Sequence, residues 1–456
     1  MRLRVDWSTL LERWALPVLL AVSLAHGCAY AFMVPPWQAP DEPGHFEHSR
    51  LLADRWVLAD GIEPDPELEL EIVASLYDNR YWDYVPHPRP DQMPSTLAGL
   101  NTFAGQSRTL NRPSLSYLPY ALLLWPVRHQ DVELQLLVLR LASVLLLPAM
   151  VWMGWRAARL LLPDDVGPAV VAGSFLALLP QQAHLTASVS DGNLTGVLAA
   201  GYFVALAAAA RWGVTVRRAV VMGLLALLAL LSKNTALFLV PVTLLALVAL
   251  ARRHGSRRNW WIGAGSAVAL LVVGLRFAPR SVHLESLLGR WTVAFSADAY
   301  QPERLENYQL WSSMTFESFW GRFGWMNVRM ADAAYAVLGV ASVALVIGLV
   351  ARLLLPGPVS RLRQGSRSGL LLYAAAVLLS LSFIVGTWVV YYSPAGNFSQ
   401  GRYLFPVLVP LAVLAGYGSG ASVTERRGRA VLAVVVPAMV ALAAHALFGT
   451  VAGTFV

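Results

Sequence analysis

The run Pro40-Asp41-Glu42-Pro43-Gly44-His45-Phe46-Glu47-His48 sets two adjacent carboxylates, a third acid and two imidazoles on consecutive positions. A helix beginning at Glu42 brings His45 round after about one turn and His48 after almost two, so Asp41, Glu42 and His45 are expected to converge. Carboxylate oxygens and an imidazole suit a hard divalent cation, Mg²⁺ or Mn²⁺, and these three residues are the ligand set that such an ion would use. Without a metal, a carboxylate here is a general base for a hydroxyl proton. The spacing is not the His-Glu-x-x-His of zinc sites. Asp41 also fits a plainer role as the N-cap of a helix, with Glu42 at its positive end and proline in its first turn. Capping does not require the additional acid and the histidines.

Cations that could answer these acids lie far along the chain. Lys233, the only lysine, stands with Asn234 inside the otherwise apolar stretch 219–250. An ionisable residue there is a functional expectation, against which stands a lysine snorkelling to the interface. Arg402 follows Asn397-Phe398-Ser399-Gln400-Gly401 and precedes Tyr403 and an apolar run. An arginine at a helix start can fork onto a phosphate, helped by the helix dipole; a lipid-headgroup anchor is the alternative. Gln400 and Tyr403 beside it are further substrate-binding candidates. Asp191 follows Ser188-Val189-Ser190 at another helix start, where capping competes with function. Arg322 lies in Trp320-Gly321-Arg322-Phe323-Gly324-Trp325, where stacking on a tryptophan is the plain alternative. Acids and cations together are what transfer from a lipid phosphate needs: cations hold the leaving phosphate and an acid deprotonates the attacking hydroxyl.

The elements that position these residues are membrane helices. Of 456 residues, 57% are hydrophobic and 14% charged, with a mean hydropathy of +0.54; a soluble domain carries about 25% charged residues. A cytosolic enzyme, a disordered chain and a disulfide scaffold are excluded, the last because Cys28 is the only cysteine. The formal net charge of +8 resides in short arginine clusters between apolar runs, the pattern of cytoplasmic loops and not of a nucleic-acid reader. Apolar runs near 14–34, 132–155, 166–183, 193–210, 217–233, 235–251, 259–277, 332–353, 369–391, 403–420 and 430–450 predict about eleven spans in one membrane domain, 1–456. The first lacks a cleavage site and is read as a retained helix. The segment 114–127 is short and holds two prolines. Only if it does not cross do all the arginine clusters fall on the cytoplasmic side, so an interfacial or half-inserted helix is expected, with the N-terminus inside. Two long loops then face outside. The first, 35–113, holds thirteen acids and six arginines; the second, 278–331, is rich in aromatics.

Four segments carry a resemblance: Pro40-Asp41-Glu42-Pro43-Gly44-His45-Phe46, Lys233-Asn234-Thr235, Phe319-Trp320-Gly321-Arg322-Phe323-Gly324-Trp325 and Gln400-Gly401-Arg402-Tyr403-Leu404-Phe405-Pro406. With them the chain resembles a family of multi-pass bacterial membrane proteins of formerly unknown function, which is similar in turn to the GT-C glycosyltransferases. The resemblance covers about 14–420. It implies an all-α, GT-C-like integral membrane fold in the bacterial inner membrane, a polyprenyl-phosphate-linked sugar donor, inverting transfer and a catalytic carboxylate in the first outside loop. Asp41 matches that acid, with Glu42 beside it. Arg402 is then a candidate for holding the donor phosphate. Arg112-Pro113-Ser114-Leu115-Ser116-Tyr117 is similar to a Pro-Pro-Leu-Tyr-Tyr segment of those enzymes, but a serine replaces the second proline and no basic residue follows.

The expected activity is transfer of a sugar to a glycan, lipid or protein acceptor of the cell envelope on the extracytoplasmic face, with membrane lipid as surroundings. No phosphate-binding loop or dinucleotide fingerprint occurs, and no nucleotide, redox cofactor or nucleic-acid partner is expected. Competing readings are a transporter or flippase of lipid-linked sugars, which favours internal repeats and mid-bilayer polar residues, a polysaccharide polymerase or ligase, and a non-enzymatic scaffold.

Overall fold

A long apolar segment can leave water only as a helix, because only a helix satisfies its backbone polar groups internally. The computed structural model describes residues 7–57, 62–100, 114–253, 302–354, 364–390 and 400–456, with Ala104, Trp261 and Gly265, and these are almost wholly helical. Seven helical segments are long and apolar enough to span a bilayer: Thr9–Met33, Val132–Leu161, Asp191–Trp212, Asp332–Leu354, Gly365–Gly386, Gly401–Ser419 and Arg426–Phe455. The chain is an all-α integral membrane protein.

The other expected spans divide differently. Proline at 180 breaks the run 166–183 into α7 (Gly167–Leu178) and the short α8 (Pro180–Thr186), because proline has no N–H to donate and its ring clashes with the preceding turn. The run 217–233 forms α10 (Val216–Ser232), and 235–251 forms a 3₁₀ turn leading into α11 (Leu239–Arg253). The expected span 259–277 and the 278–301 part of the second loop lie outside the described residues. The doubtful segment 114–127 is α4 (Tyr117–Leu124) followed by a 3₁₀ turn, too short to cross.

The bundle core gathers α1 (Trp7–Met33), α6 (Leu146–Leu161), α7, α9 (Asp191–Trp212), Gln364–Val390 and Leu408–Ser419. Small residues let these backbones approach: a Cβ added at Gly416 would sit 2.3 Å from the carbonyl oxygen of Pro168, closer than any side chain tolerates. A second apolar cluster lies beyond one end of the bundle. There α2 (Glu42–Arg55), α3 (Pro66–Asp78), α4 and the first turns of α5 (Val132–Val144) enclose Trp37, Phe46, Ile72, Tyr81 and Trp325. Trp325 belongs to a two-stranded hairpin, β1 (Arg322–Phe323) paired antiparallel with β2 (Val328–Arg329), and its indole donates to the carbonyl of Trp37 at 2.9 Å. The aromatic run of the second loop therefore fastens the first loop.

At the opposite end, Arg159 pairs with Glu12 at 3.4 Å and Arg211 reaches the carbonyls of Arg159 and Leu160 at 3.3 Å. Asp165 accepts from the backbone N–H groups of Gly167 at 2.8 Å and Val423 at 3.0 Å. The two ends are thus chemically distinct: arginines close helix termini at one, and carboxylates, cations and imidazoles meet at the other.

Candidate functional site

Asp41 stands at the start of α2, where capping was the plainer alternative to a functional role, but its side chain makes no capping hydrogen bond and its backbone is left-handed at φ 65°. Aspartate tolerates that region better than most residues, at a cost of about 1 kcal/mol. The conformation turns the carboxylate away from the helix and toward Arg402, whose Nη2 donates to Oδ2 at 2.7 Å.

Glu42 goes the other way. It is fully buried, and its carboxylate accepts from Arg140 Nε at 2.9 Å and Nη2 at 2.6 Å, and from the backbone N–H of Val189 at 3.2 Å. Arg140 also donates to the carbonyls of Val34 and Pro35 at 2.7 and 3.0 Å. Its donors are thereby spent on fixing the connection between α1 and α2. Successive residues at a helix start need not share a direction, and here a buried cation decides which way Glu42 points. The expected convergence of Asp41 and Glu42 is therefore corrected. Arg140 was invisible as a partner because in sequence it is a single basic residue inside the apolar run 132–155.

Asp191 and Lys233 complete the cluster. Ser190 caps α9, its Oγ accepting from the N–H of Gly192 at 3.1 Å, which leaves the Asp191 carboxylate free to pair with Lys233 at the end of α10. The stretch Ser114–Ser116 holds both helix ends together. Ser114 donates to the Ser232 carbonyl at 2.6 Å, the N–H of Leu115 to Leu231 at 3.1 Å, and Ser116 to the Asp191 carbonyl at 2.7 Å. Its serines, which in sequence only weakened a phosphate-gripping role, do this joining.

His45 lies between the two acids. Its Nε2 is 3.9 Å from Asp191 Oδ1, its Nδ1 is 2.8 Å from the hydroxyl of Tyr117, and Tyr117 stacks on His48 with ring centres 4.0 Å apart. Tyr117 was not singled out from the sequence; a tyrosine at the start of an apolar helix reads equally well as an interface anchor. Burial, with Lys233 and Arg402, lowers the pKa of His45 below its usual value against the opposing pull of Asp191 and Asp41, which favours the neutral ring at pH 7. At Asp41, burial pushes the carboxyl up, but its cationic neighbours, Arg402 foremost, pull it further down, below its usual range.

Arg402 is set by its neighbour. The N–H of Gly401 donates to Ser318 Oγ at 2.8 Å, and a Cβ at that glycine would lie 2.2 Å from the backbone nitrogen of Phe319. Only glycine allows this approach, which seats the 3₁₀ turn Gly401–Val407 against the helix Pro302–Trp320. Arg402 Nε and Nη1 and Gln400 Oε1 are buried and have no hydrogen-bond partner among the described residues. Tyr403 is half-buried beside them. Arg322 does not join the cluster: its guanidinium donates to Glu317 at 3.0 Å and to the Met326 carbonyl at 2.5 Å, which holds the hairpin on its helix.

The expected divalent-ion ligands do not fit one. Glu42 is committed to Arg140, Asp41 to Arg402, and His45 Nδ1 to Tyr117. Among the described residues no three His, Cys, Asp or Glu side chains are gathered as a metal site.

A helical membrane protein with two carboxylates, an imidazole, a lysine and an arginine interlocked at one end of its bundle is the class that fold and site define. Residues 24–411 match the family described as "Predicted membrane protein (DUF2142)", and the chain belongs to that family. No curated protein sequence matches it. Among solved structures, that of ArnT from Cupriavidus metallidurans bound to undecaprenyl phosphate is similar, with 13% identity and a TM-score of 0.48. The likeness covers 93% of this chain and 63% of that one, so the chain spans under two thirds of its length.

Proposed function

We propose that the protein is a GT-C-type glycosyltransferase that moves a sugar, with inversion, from a polyprenyl-phosphate donor to a hydroxyl of a cell-envelope glycan, lipid or protein at the extracytoplasmic face of the inner membrane. The observation that carries this reading is the Asp41–Arg402 pair, in which an acid at 38% side-chain exposure faces a guanidinium at 13% with two of its nitrogens unpartnered among the described residues. An exposed acid beside an unsaturated arginine is the arrangement for deprotonating an acceptor while holding a leaving phosphate.

In this reading Asp41 takes the proton of the acceptor hydroxyl as that oxygen attacks the sugar's anomeric carbon. The bond from that carbon to the phosphate oxygen breaks, and the electron pair leaves with the phosphate. Arg402 takes the phosphate oxygens by a forked hydrogen bond. Lys233 adds charge stabilisation as the negative charge grows. Asp191 fixes the lysine, His45 orients the acids, and Gln400 and Tyr403 line the approach to Arg402. Glu42 has no part in the chemistry. The outside orientation follows from the arginine-bearing loops at the opposite end.

The test uses the full chain in nanodiscs with a panel of polyprenyl-phosphate sugars, reading donor loss by mass spectrometry. Wild-type turnover that is lost in Asp41→Asn and Arg402→Ala is expected. Full turnover in both folded variants sinks the proposal, and transport of the lipid-linked sugar without cleavage favours the flippase reading.

A further inference from the structure

The four charges of the cluster cancel. Asp41 and Asp191 are each matched by one cation, and His45 between them is neutral. A phosphate group arriving at such a site meets no net positive charge. It does meet Nε and Nη1 of Arg402, which have no partner among the described residues, while Nη2 is occupied by Asp41 at 2.7 Å. The two ion pairs are not equally closed. Asp191 is held by Lys233, lies near His45 and sits at 20% exposure, whereas Asp41 has Arg402 as its one side-chain partner among the described residues and is 38% exposed.

We propose that Asp41 is a displaceable ligand of Arg402. A phosphate monoester or diester takes the guanidinium from it, and the carboxylate released turns to the acceptor hydroxyl. This rests on the reading of the site as a phosphate-lipid site and adds to it a coupling: the base is held by Arg402 until a donor is present. A carboxylate paired with arginine is a weak base, because the pair favours its charged form and fills its lone pairs. Once the phosphate has replaced it, the carboxylate loses its cation and gains the negative charge of the phosphate as a neighbour. Both changes raise its proton affinity at the moment a proton must be taken up. Water is kept from a fully armed base while no donor is bound.

Competition has a signature that a positioning role lacks. If Asp41 competes with phosphate, Asp41→Asn frees Arg402 and binds phosphate more tightly while losing turnover. If Asp41 only holds Arg402 in place, the same variant binds more weakly. Asparagine tolerates a left-handed backbone as aspartate does, so position 41 can keep its conformation; a thermal melt checks this. The experiment measures the affinity of wild type, Asp41→Asn and Arg402→Ala in nanodiscs for a sugar-free long-chain polyprenyl phosphate and, separately, for inorganic phosphate. The expected result is about tenfold tighter binding to Asp41→Asn, from removal of one charge-assisted competitor, and loss of binding in Arg402→Ala. Equal or weaker binding by a folded Asp41→Asn overturns the exchange and leaves the functional reading standing. Tighter binding of inorganic phosphate with none of the lipid supports the exchange and overturns the lipid reading. Absence of binding for both probes in every protein overturns both.

Discussion

Asp41 and Glu42 are neighbours in the chain and each meets an arginine, yet one pair is sealed and the other open. Arg140 and Glu42 are at 4% and 0% side-chain exposure, and both have further partners on the backbone. Arg402 keeps unpartnered nitrogens and Asp41 lies at the edge of water. The difference teaches where to look for chemistry. A charge pair whose every hydrogen-bonding position is filled fixes a loop, and one with positions left over can bind something. Glu47, the third acid of the same segment, is a further case. Among the described residues it is buried without a cation and with one oxygen unpartnered, and its carboxyl is pushed up to about 8 by burial and by Glu69.

The sealed pair should give the largest effect when broken. Arg140→Leu leaves Glu42 buried and uncompensated and frees two carbonyls, so a loss of about 3–5 kcal/mol is expected, seen as a collapsed melting temperature or failure to accumulate. If Arg140→Leu melts like wild type, the distinction between sealed and open fails. Next in size is Glu47. Its folded pKa lies above the unfolded value of 4.5, so the folded state binds the extra proton and stability falls as pH rises from about 4.5 through 8. Glu47→Gln should remove that decline and leave stability at pH 9 close to that at pH 5, checked by melts across pH. The open pair should matter less for folding: Arg402→Ala is expected to cost about 1 kcal/mol or less, measured by the same melts, while its activity disappears. Smallest is Tyr117→Phe, which removes one hydroxyl from His45 and should cost about 0.5 kcal/mol while moving the pH–rate profile; an unmoved profile would remove Tyr117 from the site.

The class of fold was legible because burying apolar helices dictates composition and run length over the whole chain. Asp41, His45, Asp191, Lys233 and Arg402 were legible singly, as charges at the ends of apolar runs, and parity of the spans put them on one face. Their pairing was not. Glu42 looked equivalent to Asp41 because the left-handed turn that separates them follows from packing of Trp37, Tyr81 and Trp325 around the loop. Arg140 was hidden by its apolar surroundings, and Arg322 resembled a ligand because the nearby Glu317 that occupies it carries no motif. Pro180 was visible, but the break it makes could not be told from a kink.

The sealed and open pairs also differ in when they can form. Glu42 and Arg140 are 98 residues apart in sequence and Asp41 and Arg402 are 361. At roughly 5–20 residues per second of synthesis, the first partner emerges about 5–20 s after its acid and the second about 20–70 s after. The loop is therefore pinned while most of the chain is still unmade, and its acid waits in place. The open pair closes only once the turn Gly401–Val407 has been made, so a partly inserted chain carries the Glu42–Arg140 pair without the Asp41–Arg402 pair.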